Sequence, residues 1–213
     1  RPGETPHVPR SLLAAVLLAI SMGCRPEAAA PVTQHVRYVV GLSPFLDEAA
    51  GTETFRHLAR LLLEDLPLNS SLWLYDAYHV QTIAQIEIPP ARAFASSRTR
   101  ANQFSEPLQR LKSFLTTRHA PPQVEGFDFQ QAIRFPQFMD FVGENLAQTN
   151  VATVTIVLGS PLYLDEKEPG FSMVNGYFPS DGHLLASRDK SVYGRGNCAN
   201  LLRDVVVHGG YFG

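Results

Sequence analysis

Apolar positions in this chain fall into two kinds of run, and their alternation predicts an α/β fold. Residues 36–42 (VRYVVGL) are a β-branched stretch with little polar alternation, as expected of a strand buried on both faces of a parallel sheet. Residues 151–158 (VATVTIVL) read the same way, and 202–212, ending VVVHGGYF, predict a third buried strand. Between them the apolar period lengthens. Phe55, Leu58, Ala59, Leu62 and Leu66 recur at helical spacing over 52–66, with Thr52 as the expected cap and Pro67 as the stop. Leu108, Leu111, Phe114 and Leu115 mark a helix over 105–117, with Ser105 as its cap and Pro107 in its first turn. Residues 72–75 and 80–88 are two β-rich runs around Asp76-Ala77-Tyr78-His79 and predict an antiparallel hairpin. Residues 91–103 read as polar and irregular. The aromatic-rich 127–147 predicts a short helix followed by a longer one opened at Pro136, and 171–185 a strand, turn and strand around Pro179-Ser180-Asp181-Gly182.

The N-terminal region has a different grammar. Arg10 precedes an eleven-residue apolar run, 12–22, which is too short to span a bilayer as a helix, for which about 20 residues are needed. A basic flank, a short apolar run and small residues predict an export signal. Ser21-Met22-Gly23-Cys24 resembles a bacterial lipobox, with Ser21 and Met22 departing from its usual aliphatic and small residues; this places cleavage and lipidation at Cys24. The Ala28-Ala29-Ala30 run offers an alternative cleavage point after Ala30. The expected organisation is therefore a lipoprotein-type signal over 1–24, an Ala/Pro linker over 25–35 and an α/β domain over 36–213. The chain opens on Arg1 and closes on Gly213 directly after an apolar run, so both ends read as fragment boundaries, with a C-terminal piece of the domain expected to be missing.

Bulk chemistry narrows the function classes. The 213 residues are 45% hydrophobic and 18% charged with a formal net charge of −2, which supplies a core and no field suited to nucleic acid or an anionic membrane. The two cysteines, Cys24 and Cys198, make no disulfide framework, and lipidation of Cys24 would leave Cys198 alone.

The order strand, long helix, hairpin, helices, buried strand over 36–161 resembles the von Willebrand factor A domain. That resemblance implies a doubly wound, mostly parallel sheet with one antiparallel edge strand and helices on both faces. It also implies a metal-ion-dependent adhesion site, for which Gly41, Ser43 and Phe45 take the places of Asp, Ser and Ser after the first strand. Gly159-Ser160 falls where the family has a late Asp. Both carboxylates are absent and one hydroxyl is a phenyl ring, so the expected site is degenerate and holds no metal, because hard divalent cations want several oxygens and a carboxylate. Asp47, displaced from the usual position, is the carboxylate that would restore cation binding. No cofactor is expected.

The implied role is non-catalytic. An exported protein, periplasmic or anchored to the outer membrane through Cys24, would dock a protein partner with its loop face (42–47, 76–79 and 159–161), with Ser43, Asp47, Asp76, His79, Ser160, Asp181 and His183 as binding candidates. The competing class is an enzyme. Gly41-Leu42-Ser43-Pro44-Phe45 is similar to a nucleophile elbow but has Phe45 where a close-packing Gly is wanted. Asp181 and His183 of Ser180-Asp181-Gly182-His183 would make a triad with Ser43, and Asp76, His79, Asp181 and His183 together would serve a metal-dependent enzyme. The bland alternatives are a turn serine bonded to backbone, a solvated hairpin turn and a surface histidine.

Overall fold

The computed structural model describes residues 34–124, 127–147 and 151–160, then 162–163, 173, 176–187, 189–191, 193–194, 202 and 205–210. Every described residue belongs to one unit, Gln34–Gly213. Cys24, Ala30, Pro161 and Cys198 lie outside the described residues.

This unit is an α/β fold. In chain order its elements are β1 (Val36–Leu42), α1 (Glu48–Arg60) continued by one π-helical turn (Leu61–Asp65), β2 (Ser70–Asp76), β3 (Gln81–Ile88), a 3₁₀ turn (Arg92–Ala95), α2 (Ser97–Gln103) and α3 (Ser105–Thr116). There follow the two-residue strands β4 (Gln123–Val124) and β5 (Phe127–Asp128), α4 (Phe135–Asn145), β6 (Ala152–Leu158), α5 (Asp181–Leu185) and β7 (Val205–Gly210). The main sheet has five strands in the order β3-β2-β1-β6-β7. Pairing is parallel throughout except for β3, the antiparallel edge strand on β2.

Successive residues of a strand face opposite sides of the sheet, and the two cores separate accordingly. Val40 and Leu42 of β1 pack with Leu58 and Leu62 of the first helix and its π turn, and with Leu111 and Leu115 of α3. Their neighbour Val39 lies in a second cluster with Phe138, Met139 and Val142 of α4. Helices therefore cover the sheet on both faces. Arg37 reaches over the Trp73 ring at 4.2 Å and donates to the Leu146 carbonyl at the end of α4, closing the second layer.

Several local expectations need correction. The first helix begins at Glu48, because Asp47 rather than Thr52 caps it, accepting the Ala50 amide at 2.8 Å. Phe104 precedes α3 with no side-chain cap, so Ser105 is a helical residue. Residues 97–103, expected to be irregular, form α2 around a buried Arg100. Region 127–147 holds one helix, α4, with Pro136 in its first turn where the missing amide donor costs nothing. Asp181-Gly182 opens the short helix α5 rather than turning a hairpin. The last strand exists, but it is an edge strand rather than a buried one, with Val206 53% and Val207 40% exposed.

Candidate functional site

In a sheet of this order the connection from β1 runs one way to β2, and β6 is added on the other side. The crevice beyond the carboxyl ends of β1 and β6 is then the topological switch point, where ligands of open α/β sheets bind. Ser43 follows β1 and Ser160 follows β6; the Ser43 amide donates to the Leu158 carbonyl at 3.1 Å and joins the two exits.

That crevice is filled by the chain leading into α4. Gln131, in the left-handed region at φ 58°, donates its amide to the Phe45 carbonyl at 3.1 Å and accepts the Ser160 amide at 2.7 Å. The strap thus ties both strand exits with its own backbone. Ala132 and Ile133 are buried beneath it, and the Arg134 amide donates to the Ala77 carbonyl at 3.1 Å. Phe45, Tyr78, Phe129 and Ala132 form a small apolar cluster over the top, with Phe45 and Tyr78 edge to face at 4.9 Å and the Arg134 guanidinium 4.5 Å above the Tyr78 ring.

Both hydroxyls of the crevice are inward and occupied. Ser43 is fully buried and its Oγ accepts the Phe45 amide at 3.1 Å, a serine turn of the ordinary kind. Ser160 is 4% exposed, and its Oγ accepts the Leu162 amide at 3.3 Å. A Cβ at Gly41 would stand 2.5 Å from Cε1 of Phe138 and 3.1 Å from the Ala77 methyl group. A Cβ at Gly159 would stand 2.5 Å from Cγ2 of Ile133 and 2.9 Å from the Gln131 carbonyl oxygen. Gly41 and Gly159 are therefore closely packed against their neighbours, and Asp47 uses its Oδ1 on the cap of α1. The residues present do not fit a divalent cation.

The turn between β2 and β3 holds the best-organised polar pair. Asp76 is 6% exposed; its Oδ1 accepts the amides of Tyr78 and His79 at 2.8 and 3.0 Å, and its Oδ2 accepts Nδ1–H of His79 at 2.7 Å. An ionised carboxylate only accepts, so the pairing fixes the proton on Nδ1 and turns Nε2 outward. The turn is held in place by the Ala77 amide, which donates to the Leu42 carbonyl at 2.8 Å. It closes through Val80 at φ 55°, a conformation that costs a β-branched residue roughly 1–2 kcal/mol and persists only where the surroundings impose it. This turn is more than a solvated loop.

The remaining candidates stand alone. Asp181 and His183 are exposed on α5, where Nδ1 of His183 is hydrogen-bonded to Ser180 Oγ at 2.9 Å and the ring lies 6.3 Å from Tyr177. Among the described residues no three His, Cys, Asp or Glu side chains come together as a metal would require, so Asp76, His79, Asp181 and His183 do not assemble a metal centre. Sequence reasoning missed the strap: Gln131 and Ile133 carry no chemical signature, and only the topology shows what they fill. No helix among the described residues is long and apolar enough to cross a membrane.

The fold defines a class: a mostly parallel α/β unit with one antiparallel edge strand and helices on both faces of the sheet. No family model matches the chain, and no curated protein is matched by it.

Proposed function

We propose that this chain is a non-catalytic protein-docking module of the bacterial cell envelope, a von Willebrand A-like unit whose cation site is closed, exported and anchored through Cys24. The observation that carries this reading is the strap: Phe138 and Ile133 stand where acidic ligands would project, and Gln131 bridges the loops between them. A scaffold with its reactive crevice filled keeps rigid, well-bonded loops, which suits recognition. The accessible part of the crest is narrower than the sequence suggests. Asp47 and His79 face solvent, whereas Ser43, Asp76 and Ser160 are buried and shape the loops from beneath.

The test is site-specific photocrosslinking in envelope-bearing cells. A photoreactive residue at position 79 is expected to give one discrete protein adduct, and the same residue at exposed Lys112, on α3, none. Equal adducts at both positions, or none at 79, overturn the docking reading. Labelling of Ser43 by a fluorophosphonate would establish the competing hydrolase reading instead; its full burial leads us to expect no label. Incorporation of labelled palmitate, lost in Cys24→Ser, tests the anchor.

A further inference from the structure

Beside the crest, an open groove of about 660 Å³ runs between the β2–β3 hairpin and α3. Its volume is in the range of small-ligand sites, roughly 300–1,000 Å³. One wall is Asp76, His79, Gln81, Thr82 and Ile83; the other is Arg110, Ser113, Phe114 and His119. On the α3 side the sequence singles out only Phe114, as part of a helix's apolar stripe.

The groove's chemistry is that of an acceptor-seeking site. Asp76 is the single carboxylate on its walls, and both of its oxygens are already taken by the Tyr78 and His79 amides and the His79 ring. Against it stand the Arg110 guanidinium, the His119 imidazole, the Thr82 and Ser113 hydroxyls and the Gln81 amide. Arg110 donates one Nη2–H to Glu106 at 2.6 Å, and a guanidinium has five such hydrogens. Half-buried Ile83 and Phe114 supply an apolar surface beside these donors. The charge balance sets the ligand's valence, since Asp76 in the wall and Glu106 on the arginine both oppose a second negative charge.

We propose that this groove binds a monocarboxylate carried on an apolar or aromatic body, with Arg110 at the carboxylate and Ile83 and Phe114 against the body. The site stands whether or not the crest docks a protein. A carboxylate of this kind is found on a free organic acid and at the end of a peptide, and the experiment separates the two.

The full chain, with isotope-labelled isoleucine methyl groups, is titrated with phenylacetate, 2-phenylethanol, inorganic phosphate, and a short peptide ending in phenylalanine with its carboxyl free or amidated. Phenylacetate is expected to shift the Ile83 methyl and the His79 and His119 ring signals saturably. The neutral alcohol should do so at least tenfold more weakly, and Arg110→Gln should weaken phenylacetate about tenfold. Because Arg110 and Glu106 are both exposed, this substitution leaves the core alone; His119→Gln is the second variant, with a smaller loss in the same direction. A free-carboxyl peptide binding tenfold tighter than phenylacetate assigns the site to a protein end, and equal or weaker binding assigns it to a small acid. An unshifted Ile83 methyl, an equal response to the alcohol, tighter binding of phosphate, or an unchanged affinity in Arg110→Gln overturns the proposal.

Discussion

Arg100 is the residue whose replacement should cost this fold most for its size. It is 3% exposed on α2, and its guanidinium faces carbonyls rather than a carboxylate. Nε donates to Phe94 at 2.6 Å, Nη1 to Leu62 at 2.9 Å and Nη2 to Leu66 at 2.8 Å. Two of these carbonyls belong to the end of the first helix, where the π turn finishes and helical partners run out. A cation there also meets the negative end of the helix dipole. Hydrogen bonds from a charged group contribute about 1.5–3 kcal/mol each, and desolvating the guanidinium takes part of that back. Arg100→Met keeps much of the packing and strands the three carbonyls, so we expect a loss of about 3–4 kcal/mol. Arg100→Lys keeps the charge but cannot fork to three acceptors, and about 2 kcal/mol should go.

Trp73, the single tryptophan, sits on β2 in the main sheet, so its fluorescence reports urea unfolding of the unit without added probes. The expected result is a lower midpoint at unchanged slope, the signature of lost stability in an unchanged fold. In a thermal scan the methionine variant should melt about 10 °C earlier, at roughly 2–4 °C per kcal/mol for a domain of this size. Burial lowers the Arg100 pKa from its ordinary value. The folded state therefore sheds this proton before the unfolded state does, and stability rises with pH only in the strongly alkaline range where arginine titrates. Between about pH 6 and 9 the gap between the native protein and Arg100→Met should accordingly stay level. A loss below about 1 kcal/mol, or a lysine variant equal to the native protein, would refute the three-carbonyl account.

Two further outcomes follow from the strapped crevice. Gly159→Ala places a methyl group against the Gln131 carbonyl and Ile133, and Gly41→Ala places one against the Phe138 ring. Each should destabilise the unit by about 1–3 kcal/mol in the same urea assay, and a neutral result would mean the strap is loose. Asp47→Ala removes the cap of α1 and should cost about 1 kcal/mol. Millimolar Mg²⁺ should leave the melting temperatures of native and Asp47→Ala proteins alike unchanged, whereas a cation-dependent rise lost in the variant would restore a metal at the crest.

The parts of this fold legible in the sequence are those in which one physical effect dominates over a long run. β1 was legible at Val36–Leu42 because burial on both faces leaves an apolar stretch interrupted only by Arg37, and the hairpin followed from two β-rich runs with a short gap. The errors fall where two effects compete. Asp47 and Thr52 both suit a cap, and only the chain's exit from β1 favours the former. VVVHGG reads as a buried strand since composition reports β preference and not what covers it; Val206 to Gly209, which alternate between the two faces, are all exposed. Arg100 was illegible among polar neighbours, because nothing local reveals that distant carbonyls at 62 and 66 will surround it.

The candidate site repeats this division at closer range. That Gly41 and Gly159-Ser160 carry no carboxylate could be read directly, but a glycine leaves two structures open: an empty notch, or a notch filled by something else. Phe138 and Ile133 decide for the second. They come from α4 and its approach, more than ninety residues after Gly41 for the one and twenty-six before Gly159 for the other, and no local pattern links them to either glycine. The glycines and the strap require each other: a side chain at either position would collide with the packing that Gln131 secures, and without the strap both strand exits would lose the backbone partners it supplies. A carboxylate introduced at either glycine would therefore not make a cation site. It would place an ion against a phenyl ring or a carbonyl oxygen, where burial opposes its charge and no counter-ion waits.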